Sequence, residues 1–251
     1  MSMIRRTVAA LATTVTAVSI VALAGTGTAT AASTVRHATD HGAPNHRISK
    51  STSTNWSGYA VTGGTYKTVT ASWVEPAVSC TSVTAYSSFW IGIDGDTSGT
   101  VEQTGTDADC INGAPTYYAW YEMYPKYPTN YRDPVQPGDR FTSTVSTNGA
   151  GNFTLSLSDT TRGWTETVTK KLRSAKLASA EVIAEAPSSS SGVLPLANFG
   201  TVSFSGARVN GAILTSTTPG IDPITMASGS TVKAVPSQIS SGAFTVTWKH
   251  A

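Results

Sequence analysis

Asp94, Gln103, Asp107 and Glu122 stand within one short stretch of this chain, set among Trp90, Trp120 and several tyrosines between Phe89 and Tyr124. Polar groups and aromatic rings alternate there, as a binding surface requires. The rings supply contact area, and the carboxylates and the amide can hold or move a proton. The histidines are His37, His41, His46 and His250, three ahead of the folded body and one at its last-but-one position. Chemistry in the body therefore falls to carboxylates, amides or hydroxyls. A Ser-His-Asp triad lacks its imidazole, and a zinc site lacks histidine pairs and enough cysteines. Asp94-Gly95-Asp96 is not followed by the terminal glutamate of a calcium loop, so it reads as a turn. No metal and no cofactor is expected.

The elements that must position these groups follow from parity, because side chains alternate faces along a strand. Trp90, Gly92 and Asp94 fall together, as do Gln103, Gly105 and Asp107, and again Tyr118, Trp120 and Glu122. If the three segments neighbour one another in a sheet, one face mixes indole, phenol, carboxylate, amide and glycine. A dry core does not tolerate that mixture, since each unpaired buried polar group costs about 1 to 3 kcal/mol. A concave ligand groove does. Elsewhere Phe153, Leu155 and Leu157 alternate with Thr154, Ser156 and Ser158, and Phe244, Val246 and Trp248 with Thr245 and Thr247. Pro137-Gly138-Asp139, Asn148-Gly149 and Pro219-Gly220 supply turns between such runs. Many short strands without intervening long helices predict an all-β chain, an antiparallel β-sandwich of two sheets. Lys170 to Ala186 resists this pattern, because its Lys, Leu, Ala and Glu content favours a helix by intrinsic propensity.

Three segments are expected. Residues 1–31 read as a signal peptide: Arg5 and Arg6 precede an apolar run from Val8 to Leu23, and Ala29 and Ala31 mark a cleavage site. Residues 32–51 are polar, basic and without apolar periodicity, a linker or short pro-segment. Residues 52–251 form the β-sandwich body, long enough for one substantial core. From Ser51 onward, 17 Lys and Arg less Arg5, Arg6, Arg36, Arg47 and Lys50 leaves 12, and 15 acidic residues less Asp40 leaves 14. A net charge of −2 argues against nucleic-acid binding. Charged residues make up only 13% of the chain, about half the usual ~25%, which leaves few ion pairs for acid to break. Secretion exposes Cys80 and Cys110 to an oxidising compartment, where they are expected to pair.

The runs Asn55-Trp56-Ser57-Gly58, Phe89-Trp90-Ile91-Gly92-Ile93-Asp94-Gly95-Asp96, Glu102-Gln103-Thr104-Gly105, Tyr118-Ala119-Trp120-Tyr121-Glu122 and Ala180-Glu181-Val182-Ile183-Ala184-Glu185 resemble, in order, the motifs of the glutamic endopeptidases, or eqolisins. Phe199 to Phe204 is similar to a later strand of that family. The resemblance implies a secreted acid endopeptidase on a concanavalin A-like sandwich acting on polypeptides; a monomer with no membrane attachment after signal cleavage is expected. It implies a catalytic pair of Gln103 and Glu185, with Glu181 in reserve for the carboxylate. It also puts Trp56, Trp90, Asp94, Asp107 and Glu122 at or near the substrate groove. Tyr118 departs from the aspartate that some fungal members carry there, and Ala186-Pro187 replaces an acidic run after Glu185. The chemistry is coherent: a carboxylate with a pKa near ~4 is still ionised in acid, where an imidazole at ~6.5 is not. The rival expectation is a carbohydrate-active sandwich, either a glycoside hydrolase or a lectin-like module. If Glu181 and Glu185 were a glycosidase pair on one strand, their ~13 Å separation would exceed the ~5 to 9.5 Å such enzymes use.

Overall fold

The computed structural model describes residues 52–251, and every regular element among them is a strand or isolated bridge. The expected signal peptide over 1–31 and the linker or pro-segment over 32–51 lie outside the described residues. Strands form where the sequence alternates. In Asn152–Asp159 the apolar Phe153, Leu155 and Leu157 are buried while Thr154, Ser156 and Ser158 are half-buried. Phe244–Trp248 repeats the pattern with Phe244 and Val246 buried.

Hydrogen bonding runs in one continuous path. It begins with Trp164–Lys171, Asn152–Asp159, Arg140–Thr147, Thr68–Val74, Thr201–Val209, Phe244–Trp248 and Thr231–Pro236. It continues through Ile221–Ser228 to Trp56–Thr62, Ser179–Glu185, Ser88–Ile93, Val101–Ile111, Ala114–Tyr124 and the short Thr129–Asn130. Ile221–Ser228 turns the corner between two sheets. Its first half pairs with Val61 to Gly58, its second with Ala234 to Thr231, and the register slips between Met226 and Ala227. The path thus folds back on itself as two packed antiparallel sheets, the expected sandwich.

The core between the sheets is built from Trp73 stacked on Phe141 and packed by Phe204, from Phe89 edge-on to Phe199, and from the inward faces of Val145, Leu155 and Val182. Burial of each such side chain contributes roughly 1.5 to 3 kcal/mol. The sheet centred on Ser179–Glu185 is apolar on its other face as well. There Trp56, Ala60, Trp90, Val101, Trp120, Tyr124, Ile183 and Ile224 form a second cluster. Such a strand need not alternate: all seven residues of Ser179–Glu185 are buried.

This also resolves the segment whose composition favours a helix. Ser179–Glu185 is a central strand, bonded to Trp56–Thr62 on one side and Ser88–Ile93 on the other. Helix preferences of at most ~0.7 kcal/mol per residue do not outweigh two full ladders and burial on both faces. Cys80 and Cys110 are joined, 30 positions apart, and anchor the Val101–Ile111 strand to the preceding loop.

Candidate active site

Residues directly opposite in an antiparallel ladder point to the same side of the sheet. The registers therefore lay out the outer face of the second sheet as three rows. Asp222, Ala60, Glu181, Gly92, Gln103 and Glu122 form the first. Ile224, Gly58, Ile183, Trp90, Gly105 and Trp120 form the second, and Trp56, Glu185, Ser88, Asp107 and Tyr118 the third. The three motif segments are indeed neighbours, and the polar and aromatic residues grouped by parity share this face.

Two glycines shape it. Gly105 lies beneath Trp90, and a Cβ there would come within 2.6 Å of the Trp90 Cβ and 2.3 Å of the Phe89 carbonyl oxygen. Gly92 stands between Glu181 and Gln103, where a Cβ would meet the Gln103 Cβ and Trp90 ring at 3.1 Å each. Its missing side chain lets the Trp90 ring and the Gln103 side chain close over the strand there. With Gly92 as the one residue between them, the Cα atoms of Glu181 and Gln103 are about 10 Å apart, and both side chains rise on the same side.

Gln103 is held from one end. Its Nε2 donates to Glu122 Oε2 at 2.6 Å. Its Oε1 has no hydrogen-bond partner within the protein. Glu181 is fully buried, and neither of its carboxyl oxygens has one. Burial pushes its proton affinity well above the ordinary carboxylate range, the neighbouring Asp96 and Asp94 adding to the rise while Ser179 opposes it.

Glu185 is placed differently. It lies four residues further along the strand, roughly 16 Å from Gln103 between Cα atoms. Its Oε1 accepts from Asn55 Nδ2 at 3.0 Å and its Oε2 from the Trp90 indole Nε1 at 2.7 Å. The structure does not bring Glu185 to Gln103; the carboxyl in the same row as Gln103 is Glu181. The two residues share parity, so the sequence leaves them equivalent.

The remaining residues fall into two kinds. Trp56 meets Trp90 edge-on at 5.0 Å between ring centroids, and Asp107 Oδ1 accepts the Trp120 indole N–H at 2.5 Å. Each of the two central indoles is thus pinned by a carboxylate on its own face, Trp90 by Glu185 and Trp120 by Asp107. Asp94 is not on the rows. The strand ends at Ile93, Asp94 adopts φ 68°, and its carboxylate accepts the backbone N–H groups of Lys176, Leu177 and Ala178 at 2.7 to 2.9 Å. That ties the 94–100 turn to the segment leading into Ser179–Glu185.

Two contributors escaped the sequence reading. Asp109 continues the parity of Asp107, and the Tyr118 hydroxyl lies 2.8 Å from both Asp107 Oδ2 and Asp109 Oδ2. Burial and the two aspartates hold the Tyr118 phenol well above its usual range. Period-two parity extended by one step finds Asp109. Asp96 lies in the turn, where parity carries no information.

With this geometry in place, comparison with known proteins becomes decisive. Residues 54–248 match the model of the Peptidase A4 family. Over 180 residues the chain is 31% identical to Aspergillopepsin-2 of Aspergillus niger, covering 62% of this chain and 64% of that protein. Over 105 residues it is 36% identical to Scytalidopepsin B of Scytalidium lignicola, covering 40% and 39% respectively. The matched regions thus span less than two thirds of those relatives' lengths. The crystal structure of scytalido-glutamic peptidase with a transition state analog inhibitor superposes with a TM-score of 0.69 at 25% identity, over 78% of this chain and 98% of that one. A family match across nearly the whole described body, on the same sandwich, shows that the chain belongs to the Peptidase A4 family.

Proposed function

We propose that the chain is a secreted acid endopeptidase that hydrolyses peptide bonds with a Gln/Glu pair, Gln103 and Glu181. The observation that carries this reading is the Glu181–Gly92–Gln103 row. A buried carboxyl and a fixed amide stand on one face of the sheet with only Gly92 between their strands, and neither the Glu181 oxygens nor Gln103 Oε1 has a hydrogen-bond partner within the protein. Water held there lies against both groups. Glu181 in its ionised form takes a proton from that water as the oxygen attacks the carbonyl carbon. The second N–H of Gln103 Nε2 donates to the oxyanion that develops, while the first stays on Glu122. Glu181 then returns the proton to the amide nitrogen as the C–N bond breaks. Burial raises the proton affinity of Glu181, so only its ionised fraction acts in acid, and that fraction is a stronger base than a solvated carboxylate.

Trp56, Trp90 and Trp120 are buried beneath the face over which a polypeptide lies, Glu185 holding the Trp90 indole and Asp107 that of Trp120. The relative solved with a transition state analog inhibitor supports the same class of substrate. Asp94 serves the groove from behind, through the turn it anchors.

The test is cleavage of an unfolded protein such as casein across acid pH. Gln103→Ala and Glu181→Gln should each lose about 100- to 1000-fold in kcat, the ~2.7 to 4 kcal/mol typical of such groups. Glu185→Gln should retain cleavage within about tenfold, with the change mainly in KM. An inactive Glu185→Gln beside an active Glu181→Gln would overturn the assignment.

A further inference from the structure

The formal charge of −2 over residues 52–251 conceals where the charges lie. Eleven of the twelve lysines and arginines there are exposed, Lys233 being the exception, but none of the fourteen acidic residues is: ten are buried and four half-buried. Solvent therefore meets a positive surface, whereas an ordinary soluble surface intersperses both signs. Four of the cations gather at one end of the first sheet, around the turn over residues 148–152. Lys171 stands opposite Asn152 in the ladder, and Leu172 N–H donates to the Gly151 carbonyl at 2.8 Å. This brings Arg173 alongside, its Cα 3.0 Å from where a Cβ at Gly151 would lie. A Cβ at Gly149 would lie 3.4 Å from Lys67 Nζ. Lys67 N–H in turn donates to Asn210 Oδ1 at 2.8 Å, two residues beyond Arg208. Arg208 gives one N–H to the Gly211 carbonyl at 3.0 Å. The ion pairs among the described residues are those of Arg162 with Asp139 and Asp159, so none of these four cations has an acidic partner there.

The sheet face that this corner borders carries hydroxyls. The ladders set Thr167, Ser156, Thr144 and Thr70 opposite one another in a row that ends on Arg208. In the row beside it the hydroxyls of Ser158 and Thr165, and of Ser72 and Thr142, meet at 2.9 Å. Lys171 shares the parity of Thr167 and so stands on the same face. We propose that this corner and the hydroxyl rows dock an anionic polysaccharide, Lys67, Lys171, Arg173 and Arg208 taking its sulfate or phosphate ester groups and the serines and threonines its sugar hydroxyls. Side chains that both donate and accept match a polyol, and unpaired cations match its anions. Strong-acid ester groups keep their charge in acid, where carboxylates with a pKa near ~4 lose theirs. A bare polyphosphate or a layer of lipid headgroups would use the cations and leave the hydroxyl rows idle. The rows lie on the outside of the first sheet, whereas Gln103 and Glu181 stand on the outside of the second. A docked polymer therefore leaves the peptide groove open.

The experiment is calorimetric binding of the full protein to dextran sulfate at about pH 4, with unsubstituted dextran, polyphosphate and phosphatidylserine vesicles as the other arms. Dextran sulfate should bind and plain dextran should not, and the logarithm of the binding constant should fall against that of salt with a slope of about −3, as four cations on a flexible polyanion release counterions. Lys171→Ser with Arg173→Ser should weaken binding about tenfold or more and roughly halve the slope. Lys126→Ser with Arg132→Ser removes the same charge from another part of the exposed surface and should change binding by less than about twofold. Thr144→Val with Thr167→Val keeps β-branched side chains on both strands and should weaken dextran sulfate several-fold while leaving polyphosphate unchanged. Equal losses in the two charge pairs overturn the proposal, as does binding confined to polyphosphate or vesicles. A natively folded valine pair that binds dextran sulfate as the wild type does, or loses polyphosphate in the same measure, overturns it too.

Discussion

Replacing Glu102 with glutamine should make the fold less sensitive to rising pH. Glu102 sits next to Gln103 but points to the opposite face, into the core beside Ile93 and Met123, and it is fully buried with neither oxygen hydrogen-bonded. Burial, and then the nearby Asp94, raise its pKa from 4.5 to about 9. The folded state therefore keeps a proton that the unfolded chain loses, and the sign follows. Below pH 4.5 both states hold it and folding is not penalised. As pH rises toward 9 the unfolded state is increasingly favoured, and stability falls. From pH 4.5 to pH 8 this amounts to about 5 kcal/mol at ~1.4 kcal/mol per unit, a large share of the stability of an ordinary domain. Glutamine has nearly the same shape and no proton to lose. Its buried amide still lacks partners, at a cost of about 1 to 3 kcal/mol, so the quantity to compare is the pH dependence and not the absolute stability. Urea unfolding of both proteins at pH 4.5 and pH 8 supplies it. Glu75 and Glu181, also raised by burial, add the same trend to both proteins and cancel in the comparison. Parallel pH dependences in wild type and Glu102→Gln would refute the reasoning.

Gly92→Ala puts a methyl group 3.1 Å from both the Gln103 Cβ and the Trp90 ring. It should lower kcat/KM by about 10- to 100-fold and destabilise the fold by about 1 to 3 kcal/mol, checked by kinetics beside calorimetry. Tyr118→Phe removes the hydroxyl that lies between Asp107 and Asp109 and should cost about 1 to 3 kcal/mol, read from denaturant midpoints. Replacing Cys80 and Cys110 together with serine opens a loop of 30 positions and should destabilise the fold by about 3 to 4 kcal/mol, with no change in the position of either limb of the pH profile.

Much of the candidate site was legible because it is built on strands, and strand parity is a local property. Trp90 with Gly92, Gln103 with Gly105 and Asp107, and Tyr118 with Trp120 and Glu122 share a face in the fold as parity requires. The outward Thr and Ser of Asn152–Asp159 were readable for the same reason, and the Cys80–Cys110 pair because the body holds two cysteines. Parity failed where the strand stopped. Asp94 would have joined Trp90 and Gly92 had the chain stayed extended, but its positive φ turns the carboxylate toward the N–H groups of Lys176 to Ala178. Propensity failed at Ser179–Glu185, where two flanking ladders and burial on both faces outweigh a helix-favouring composition.

The sequence by itself determined the all-β class, the mixed polar and aromatic face and the residue types available for acid chemistry, because each depends on period-two spacing or on composition. The choice between Glu181 and Glu185 was beyond it. The two lie on one strand with one parity, and only the lateral register through Gly92 sets one opposite Gln103 and leaves the other holding Asn55 and Trp90. Register across strands joins residues distant in the chain and is settled by how whole faces pack, so the tertiary structure alone could decide it.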